Sequence, residues 1–566
     1  MAVKFSDYTF NLWLLTTRNV YEPAQFAIIE TPDGLIARAG TLTYGDGSGT
    51  TPGLLEATFA RQENGFSWQA RAAHAEPIKG IKVAVTPLPL GKVMVPLNGE
   101  VTLKEGEPGR CFVYPGGYYP LRHVSSTFVE PRSGALPIWA AQFALFRNGA
   151  RTLYLHAREC PPRVKKLWIY RRGEHQEFRI CDEADACRRA TEYTTPTWYL
   201  DDVPDWREAV DDHARWMAEA FGLCSFAERA DAQPWLKEIG LVAVLHGLSH
   251  DGKVCHDFAD MARRLEELAP LYSPQRTLIK LLGFEGRIDR HWPDNGPAQE
   301  LGGDDGFSYL MKTAHRLGFH VMPHLNVWGA SFDNPATDEL LAYRILDGEG
   351  RPVNWSYDYD QDEIAEEIFA YISPDAPAWR AVLRQKVREI VDRGVDAVFL
   401  DQTGTFINDL RYDHFRGLQA LYAELRAELP DVQFTCEGPT TELSASLCPL
   451  LAGVSGSDND DANETYRRLF GPYVRQHSHS ASIPPEPYRG VWSVPPVTRW
   501  NEEHFIAHQE WAARVNGIPT LNLTDLHIRL DGALAANVLE RARHYGPESR
   551  QNQKAARCAE EGRKGC

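Results

Sequence analysis

The sequence predicts a multidomain protein of β plus α/β class, with an N-terminal antiparallel β-sandwich followed by a (β/α)8 TIM barrel. Up to about residue 182, short runs of alternating apolar and polar residues are separated by Gly and Pro turns, as in antiparallel sheets. Beyond residue 235, apolar runs alternate with helical periods, as in a parallel sheet closed by crossovers. We therefore assign the sandwich to residues 1–203, a helical linker to 204–234 and the barrel to 235–548.

Eight apolar runs in the second half predict the barrel strands, and amphipathic stretches predict the helices between them. One connection, residues 326–373, is far longer than the others, and long loops on such scaffolds usually carry function. Residues 549–566 are polar and have no packing period, so we expect a flexible tail. The predicted strands are 240–245, 277–282, 320–325, 396–400, 432–435, 450–454, 490–493 and 518–523. The predicted helices are 305–317, 376–393, 412–428, 502–515 and 532–544.

The composition, with 43% hydrophobic and 24% charged residues, is that of a globular protein, and no apolar run is long enough to cross a bilayer. A net charge of -17 repels polyanions, so neither nucleic acid nor a membrane is an expected partner. The amino terminus lacks a basic start followed by an unbroken apolar core, so we expect a cytoplasmic location. The ten Cys form no CxxC pair or zinc-like cluster, and no metal site is predicted.

The fourth strand carries the strongest chemical signal. Active sites of such barrels lie at the carboxyl ends of the strands. Residues 395–400 are an apolar run apart from Asp396, and Asp401 follows the run directly, at the rim. A helix cap or a salt-bridged loop residue is the structural alternative for Asp401. We favour a catalytic carboxylate.

A second carboxylate, Glu437, follows the fifth strand, next to the fourth in a barrel. Glycoside hydrolysis needs such a pair: one carboxyl group protonates the leaving oxygen, and the other attacks the anomeric carbon or activates water. The alternative for Glu437 is a residue that only orients its neighbours. Asp458, after strand six, could bind sugar hydroxyls or replace Glu437 as the acid, or simply cap the next helix. Its acidic loop lacks the Gly and Glu of a calcium-binding loop.

Further polar and aromatic side chains at or after the ends of the first four strands, together with Asp458 after strand six, are candidates for sugar contacts. For each His and Trp among them, a hydrogen-bonded or packed rim residue is the alternative interpretation. The candidate substrate-binding residues are His246, Arg287, Asp289, His291, Trp292, His324, Asn326, Trp328, Gln402 and Asp458.

Motifs of other chemistries are missing from the sequence. It contains no GxSxG elbow, no Walker A loop, no dinucleotide fingerprint after a strand and no HExxH. The pair Gly302-Gly303 is followed by two Asp residues, which disfavours phosphate binding and suits a helix start. We therefore expect no cofactor.

Segments 301–305, 314–322 and 395–401 resemble α-glycosidase barrels, and the resemblance extends over about residues 235–545. It is strongest to retaining α-acting enzymes related to α-amylases and endo-α-N-acetylgalactosaminidases. In these, the nucleophile Asp ends strand four and the acid Glu ends strand five, the places of Asp401 and Glu437. The resemblance also implies a preceding β-sandwich, a small lid domain in the long third loop and a substrate-binding Asp near a later strand, for which Asp458 is the counterpart.

The resemblance leaves the partner of Asp401 open. Phe399 stands where amylase-like enzymes carry Arg, which disfavours an α-amylase proper. The phrase Phe399-Leu400-Asp401 is also similar to α-galactosidase and α-glucosidase barrels, whose acid is an Asp two strands later, so Asp458 is the rival to Glu437.

The predicted function is cleavage of an α-glycosidic bond by double displacement, with Asp401 as nucleophile and Glu437 as acid and base. The expected partner is an oligosaccharide or glycoside, and a homo-oligomer is left open. An inverting hydrolase that uses Asp401 or Asp458 is the first alternative. A non-catalytic carbohydrate-binding barrel is the second.

Overall fold

The computed structural model describes residues 2–97, 99–115, 138–149, 151–249, 252–286, 290–348, 350–357, 366–404, 406–438, 440–453, 456–478, 502–524 and 528–546. The strands of the N-terminal part are β1 (Ala2–Phe5), β2 (Tyr8–Thr16), β3 (Val20–Pro23), β4 (Ala27–Thr31), β5 (Gly34–Tyr44), β6 (Thr50–Gln62), β7 (Gly65–Ala73), β8 (Ile78–Pro89), β9 (Lys92–Val95), β10 (Gly99–Val101), β11 (Arg110–Tyr114), β12 (Phe143–Asn148), β13 (Arg151–Ala157), β14 (Lys165–Arg172), β15 (His175–Glu183), β16 (Glu192–Thr194) and β17 (Trp198–Val203).

The later strands are β18 (Leu241–His246), β19 (Thr277–Leu282), β20 (His320–Asn326), β21 (Gly329–Ser331), β22 (Asn354–Tyr357), β23 (Glu366–Tyr371), β24 (Ala397–Asp401), β25 (Gln433–Glu437), β26 (Leu450–Ala452), β27 (Arg475–His477) and β28 (Thr520–Asn522). The helices are α1 (Trp206–Ala220), α2 (Phe258–Leu268), α3 (Gly303–Leu317), α4 (Thr337–Leu340), α5 (Pro377–Val391), α6 (His414–Glu428), α7 (Glu442–Leu447), α8 (Asp460–Leu469), α9 (Glu502–Arg514) and α10 (Ala533–His544). None of those described is both long and apolar enough to span a bilayer.

Strands β1 to β17 pair into one large antiparallel sheet. Strand β2 shows why: its buried residues alternate with partly exposed ones, so one face of the strand is apolar. The core of this sheet contains a row of indoles, in which Trp198 stacks on Trp68 at 6.4 Å and on Trp139 at 5.9 Å. The predicted antiparallel N-terminal domain is therefore confirmed, whereas its division into the two layers of a sandwich stays a prediction.

The second half contains the predicted barrel of parallel strands. The strands pair in the order β27-β26-β25-β24-β20-β19-β18-β28. A parallel bridge between His477 and Ile518 joins the two ends of this row. Fully buried strands such as β18 and β19 are largely apolar because helices cover the outside and side chains fill the inside.

Seven predicted barrel strands overlap the observed ones, and the remaining one, residues 490–493, lies outside the described residues. The described barrel also contains β27, at Arg475–His477, which the sequence analysis did not predict. This three-residue strand, Arg-Gln-His, has no apolar run, so periodicity could not reveal it. The five predicted helices correspond to α3, α5, α6, α9 and α10, with boundaries within two residues.

Alternation along the strands divides the barrel core into a lumen and an outer layer that faces the helices. The residues of the lumen cluster include Val242, Val244, Leu278, Leu282, Met322, Ala397, Phe399, Leu450, Ala452 and Ile518. Their neighbours Ala243, Ile279, Val398 and Leu451 belong to the outer core. Asp401 continues the inward series of Ala397 and Phe399, so the strand register itself places this carboxylate in the lumen mouth.

The long connection 326–373 folds into its own small antiparallel sheet, with strand order β21-β23-β22. It packs on the loop after β19: Ser331 Oγ donates to the Arg290 carbonyl at 2.9 Å, and Asn334 Nδ2 donates to the His291 carbonyl at 2.9 Å. The Phe369 ring lies 5.6 Å from that of Trp292. The connection is therefore a structured unit beside the barrel mouth.

A buried polar cluster joins the N-terminal sheet, α1 and the barrel. Glu442, the first residue of α7, accepts hydrogen bonds from the backbone N–H of Gln142 at 3.1 Å and from Gln142 Nε2 at 3.0 Å. His213 Nε2 on α1 lies 2.6 Å from Glu442 Oε1, and the Tyr114 hydroxyl donates to Glu442 Oε2. All four side chains are fully buried. We call these four residues the interdomain cluster.

Candidate active site

Asp401 and Glu437 stand at the carboxyl ends of two neighbouring barrel strands. Strands β24 and β25 pair in parallel, with Leu400 opposite Cys436, the residues immediately before the two carboxylates. Asp401 is 5% exposed and Glu437 is 6% exposed. The side chain of Asp401 acts on the pKa of Glu437, so the two carboxyl groups are close neighbours. The structure thus brings together the two residues that sequence analysis proposed as the catalytic pair.

Residues of β20 hold Asp401 from the other side. Asn326 lies opposite Asp401 in the strand register, and its Nδ2 donates to Asp401 Oδ2 at 3.2 Å. His324 Nε2 lies 3.8 Å from the same oxygen. The Asn326 amide is itself fixed, because its Oδ1 accepts from the backbone N–H groups of Trp328 and Gly329 at 2.7 and 2.6 Å. The carboxylate therefore has a fixed orientation.

Gln402 has a strained backbone that connects the two carboxylates. Its φ of 59° lies in the left-handed region, which a residue with a side chain rarely adopts. In this conformation its backbone N–H donates to Glu437 Oε2 at 3.0 Å, and its carbonyl accepts from Trp328 Nε1 at 2.9 Å. Trp328 is completely buried and stacks on His414 at 4.0 Å. The strain at Gln402 thus serves to direct a donor at Glu437.

The environment of Glu437 favours a protonated side chain. Burial raises the pKa of Glu437, and this effect outweighs the neighbouring Asp401 side chain, the nearby charge of Lys280 and the Gln402 N–H, all of which lower it. A carboxyl group whose pKa is raised can carry a proton at a pH where an exposed one is ionised. Glu437 therefore has the property required of a proton donor.

Three glycines allow the loops after β24, β25 and β26 to approach each other closely. Gly404 N–H donates to the Glu437 carbonyl at 2.8 Å, and Gly438 N–H donates to the Ala452 carbonyl at 3.1 Å. A Cβ on Gly404 would lie 2.7 Å from the Glu437 carbonyl oxygen, and one on Gly453 would lie 2.8 Å from the Gly438 carbonyl oxygen. Backbone pairing thus continues past the strand ends and supports Glu437.

Lys280 is a member of the site that sequence analysis missed. It lies in the middle of β19, is 0% exposed, and its Nζ lies 3.6 Å from the centroid of the Phe399 ring. Burial lowers the pKa of Lys280 to about 7, and the charges of Asp401 and Glu437 oppose this effect. A lysine inside an otherwise apolar, fully buried strand was the available signal, since such a residue needs a buried partner.

Comparisons with known proteins point to glycosidase folds. The model of a family described as a domain of unknown function, DUF6259, matches residues 193–417. A search of curated protein sequences finds no match. Among solved structures, the α-N-acetylgalactosaminidase NagBb from Bifidobacterium bifidum in complex with GalNAc is similar, with a TM-score of 0.65 and 12% identity over 96% of this chain and 93% of that chain.

Two α-galactosidase structures are also similar. TtGalA from Thermus thermophilus, in complex with p-nitrophenyl α-D-galactopyranoside, has a TM-score of 0.50 and 13% identity over 96% of this chain and 94% of that one. The galactosidase domain of the α-galactosidase–sucrose kinase AgaSK has a TM-score of 0.50 and 12% identity over 97% of this chain and 74% of that one. The chain has the fold of these α-glycosidases. At such low identity the likeness concerns the fold.

The remaining predicted sugar contacts have different surroundings. His246 is buried at the end of β18, where its backbone N–H donates to Thr524 Oγ1 at 2.9 Å. Trp292 is buried, stacks on His324 at 5.8 Å and donates to Glu285 Oε1 at 3.2 Å. Trp292 and Trp328 therefore contact protein groups here, and sugar contact by either stays a prediction. His291 is exposed, whereas Arg287 and Asp289 lie outside the described residues.

Asp458 differs from Glu437 in every respect that matters for an acid. Its side chain is 78% exposed and lies 3.3 Å from Arg514 Nη1. The same carboxylate accepts from Trp511 Nε1 at 2.9 Å. Its neighbour Asn459, not Asp458, caps α8. The carboxyl group in contact with Asp401 is therefore that of Glu437, and a substrate contact by Asp458 stays a prediction.

Proposed function

We propose that the protein is a glycoside hydrolase that cleaves an α-glycosidic bond with retention of configuration. Asp401 is the nucleophile, and Glu437 is the acid and base. The observation that carries this proposal is the placement of two buried carboxyl groups at the ends of adjacent, register-paired barrel strands. The fold that the chain shares with α-glycosidases also supports the proposal. We also propose that the N-terminal sheet is a sandwich at residues 1–203, joined by the segment 204–234 to a barrel at 235–548.

Retention is proposed from the placement of the two carboxyl groups. Retaining glycosidases hold them about 5–5.5 Å apart, whereas inverting ones need about 6.5–9.5 Å to admit a water molecule. Asp401 and Glu437 follow the register partners Leu400 and Cys436 on two neighbouring strands, and such strands lie about 4.8 Å apart, which suits the shorter spacing. An inverting reaction with Asp458 as partner would employ an exposed carboxylate that is paired with Arg514. The placement of Asp401 and Glu437 therefore supports double displacement.

The proposed reaction has two steps. In the first, a carboxylate oxygen of Asp401 bonds to the anomeric carbon, the glycosidic C–O bond breaks, and the proton of Glu437 passes to the leaving oxygen. In the second, the Glu437 carboxylate takes a proton from a water molecule, which attacks the anomeric carbon and releases Asp401. His324 and Asn326 lie beside Asp401, and the backbone N–H of Gln402 donates to Glu437; these three residues are proposed, with His246 and the other predicted sugar contacts, as substrate contacts.

The test is hydrolysis of a panel of p-nitrophenyl α-glycosides, beginning with α-galactoside and α-N-acetylgalactosaminide. These two come first because the similar structures are an α-N-acetylgalactosaminidase and α-galactosidases. NMR spectroscopy of the fresh product should show the α-anomer first. Asp401→Asn and Glu437→Gln should each lower kcat by at least about 1,000-fold.

Rescue of the variants by azide distinguishes the nucleophile from the acid and base. With Glu437→Gln and an activated aryl glycoside, azide should restore turnover and give the α-glycosyl azide, since it replaces water in the second step. With Asp401→Asn, azide should give the β-glycosyl azide by a single displacement. Glu56→Gln is the matched control, because Glu56 is a buried carboxylate of the N-terminal sheet, paired with Arg71 at 2.6 Å. Full activity of Asp401→Asn, or β-anomer as first product, would contradict the proposal.

A further inference from the structure

Lys280 is placed in the lumen by the register of the barrel. On β19 it lies between Leu278 and Leu282, both of which belong to the lumen cluster. Its register partners are Val244 on β18 and Met322 on β20, which are also lumen residues. Its ammonium group is fully buried and lies over the Phe399 ring. The long side chain therefore lies inside the barrel, directly below the mouth.

The groups that face this ammonium ion from the neighbouring strands define its role. Val244 and Met322 carry no charge, and Phe399, two residues before Asp401 on β24, offers a ring face. The charges that act on the ammonium group are those of Asp401 and Glu437. His324 on β20 lies against Asp401 as well, at 3.8 Å. One cation thus shares a dry compartment with two carboxyl groups.

A buried charge is stable only when an opposite charge compensates it. One ammonium ion compensates one carboxylate, so the three groups are electrically neutral together when one of the two carboxyl groups holds a proton. This is the protonation state that double displacement needs at its start. Resting on the proposed function for these roles, we propose that Lys280 is a positioning residue whose buried charge keeps Asp401 ionised while Glu437 holds the proton.

The same charge also suits the state after the first step. When Asp401 has bonded to the sugar it is an uncharged ester, and Glu437, having given its proton to the leaving oxygen, is a carboxylate. The negative charge has moved from one carboxyl group to the other, and Lys280 compensates it in both places. Neither state leaves an uncompensated charge in the lumen. The activation free energy of the first step therefore includes no penalty for a buried, unpaired charge.

A double-mutant cycle in thermal stability tests the inference without any substrate. At pH 6, below the pKa of about 7 of Lys280, Lys280→Met should lower the Tm, because it leaves Asp401 uncompensated. In the Asp401→Asn background at least half of this loss should disappear, since the ionised Asp401 is gone and Glu437, whose pKa burial raises, can keep its proton. If Lys280→Met alone is insoluble, a soluble Lys280→Met/Asp401→Asn double variant would equally support the proposed compensation.

Lys165→Met is the matched control. Lys165 is also fully buried, but it lies on β14 in the N-terminal sheet, where it pairs with Glu159 and lies 4.0 Å from Asp182. Its loss of Tm should be the same in both backgrounds, because sites without shared partners contribute additively. Equal losses for Lys280→Met in both backgrounds, or loss of folding in both, would overturn the proposed compensation.

The pH dependence of kcat/KM distinguishes a charge effect from a packing effect. Removal of a neighbouring cation raises the pKa of a carboxyl group by roughly 1 to 3 units, so the acidic limb of Lys280→Met should move to higher pH by that amount. A merely structural role would lower the maximum and leave the limb in place, which would overturn the inference. If the wild type hydrolyses no α-glycoside, the proposed function fails, and the stability cycle alone decides the role of Lys280.

Discussion

Replacement of Glu442 by Gln tests whether the N-terminal sheet and the barrel stabilise each other through the interdomain cluster. The substitution keeps the size of the side chain but removes its charge. It also places an NH2 group against the donors of Gln142, Tyr114 and His213, where an oxygen accepted before. Every partner is fully buried, so water cannot replace the lost hydrogen bonds. The consequence should be a lower stability of the whole chain.

The expected loss of stability in Glu442→Gln follows from the burial of the cluster. Leaving the buried donors of Gln142, Tyr114 and His213 without a carboxylate acceptor costs roughly 3–5 kcal/mol for the set, at about 1–3 kcal/mol for each unsatisfied group. With an unfolding entropy of about 2.1 cal/mol/K per residue, the 566 residues would unfold with about 1.2 kcal/mol/K if they melted together, so the Tm should fall by about 3–4 °C. Glu424→Gln is the control: Glu424 is 31% exposed and pairs with Arg380 at 3.1 Å, so its loss should cost under about 1 kcal/mol and about 1 °C.

The assay is calorimetry of both variants as a function of pH. Burial opposes ionisation of Glu442, but the hydrogen bonds from His213, Tyr114 and Gln142 are stronger and hold its pKa below the usual value. The stabilisation is therefore fully present above the unfolded-state value of about 4.3 and is lost as the pH falls through the lowered folded-state pKa. A Tm loss no larger than that of Glu424→Gln, or one that persists unchanged at low pH, would refute the reasoning.

Further predictions concern the support of Glu437. Gly404→Ala should lower kcat by at least about tenfold in a folded protein, because the new Cβ would lie 2.7 Å from the Glu437 carbonyl oxygen. Gly296→Ala is the control: its Cβ would meet nothing within 4 Å, so it should change neither kcat nor the circular dichroism spectrum. Trp328→Phe keeps a ring but removes the donor to the Gln402 carbonyl, and should lower both Tm and kcat through about 1–3 kcal/mol of lost hydrogen bonding. Because burial raises the pKa of Glu437, the alkaline decline of wild-type kcat/KM should be centred at a pH above the usual pKa of a glutamate side chain. A decline centred at about pH 4.3 would contradict the role of Glu437 as the acid.

Several features of the site could be predicted from local sequence. Asp401 follows a short apolar run and Glu437 follows a mixed strand, and the carboxyl end of each strand is the rim of a barrel. The long connection after β20 was also visible as an interruption of the βα pattern. These signals are local, because buried parallel strands are largely apolar. Strand β27 lacks this signal and was not predicted for that reason.

Other features depend on residues that are far apart in the chain. The sequence offered both Glu437 and Asp458 as partners of Asp401, and only the exposure and contacts of the two side chains distinguish them. The fold also buries Trp328 and makes its indole N–H a donor to the carbonyl of Gln402, 74 residues away, which no local pattern indicates. The left-handed backbone of Gln402 could not be expected from its side chain either.

The sequence by itself determined the order of the antiparallel and parallel halves, most strand positions and the carboxylates at the ends of β24 and β25. Periodicity and chain direction are sufficient for these, since each is a property of consecutive residues. Only the tertiary structure decided that Lys280 lies below the two carboxylates and that Glu442 joins two halves of the chain. The roles of Lys280 and Glu442 depend on their removal from water and on charged or polar groups from other parts of the chain. Both conditions exist only in the folded protein.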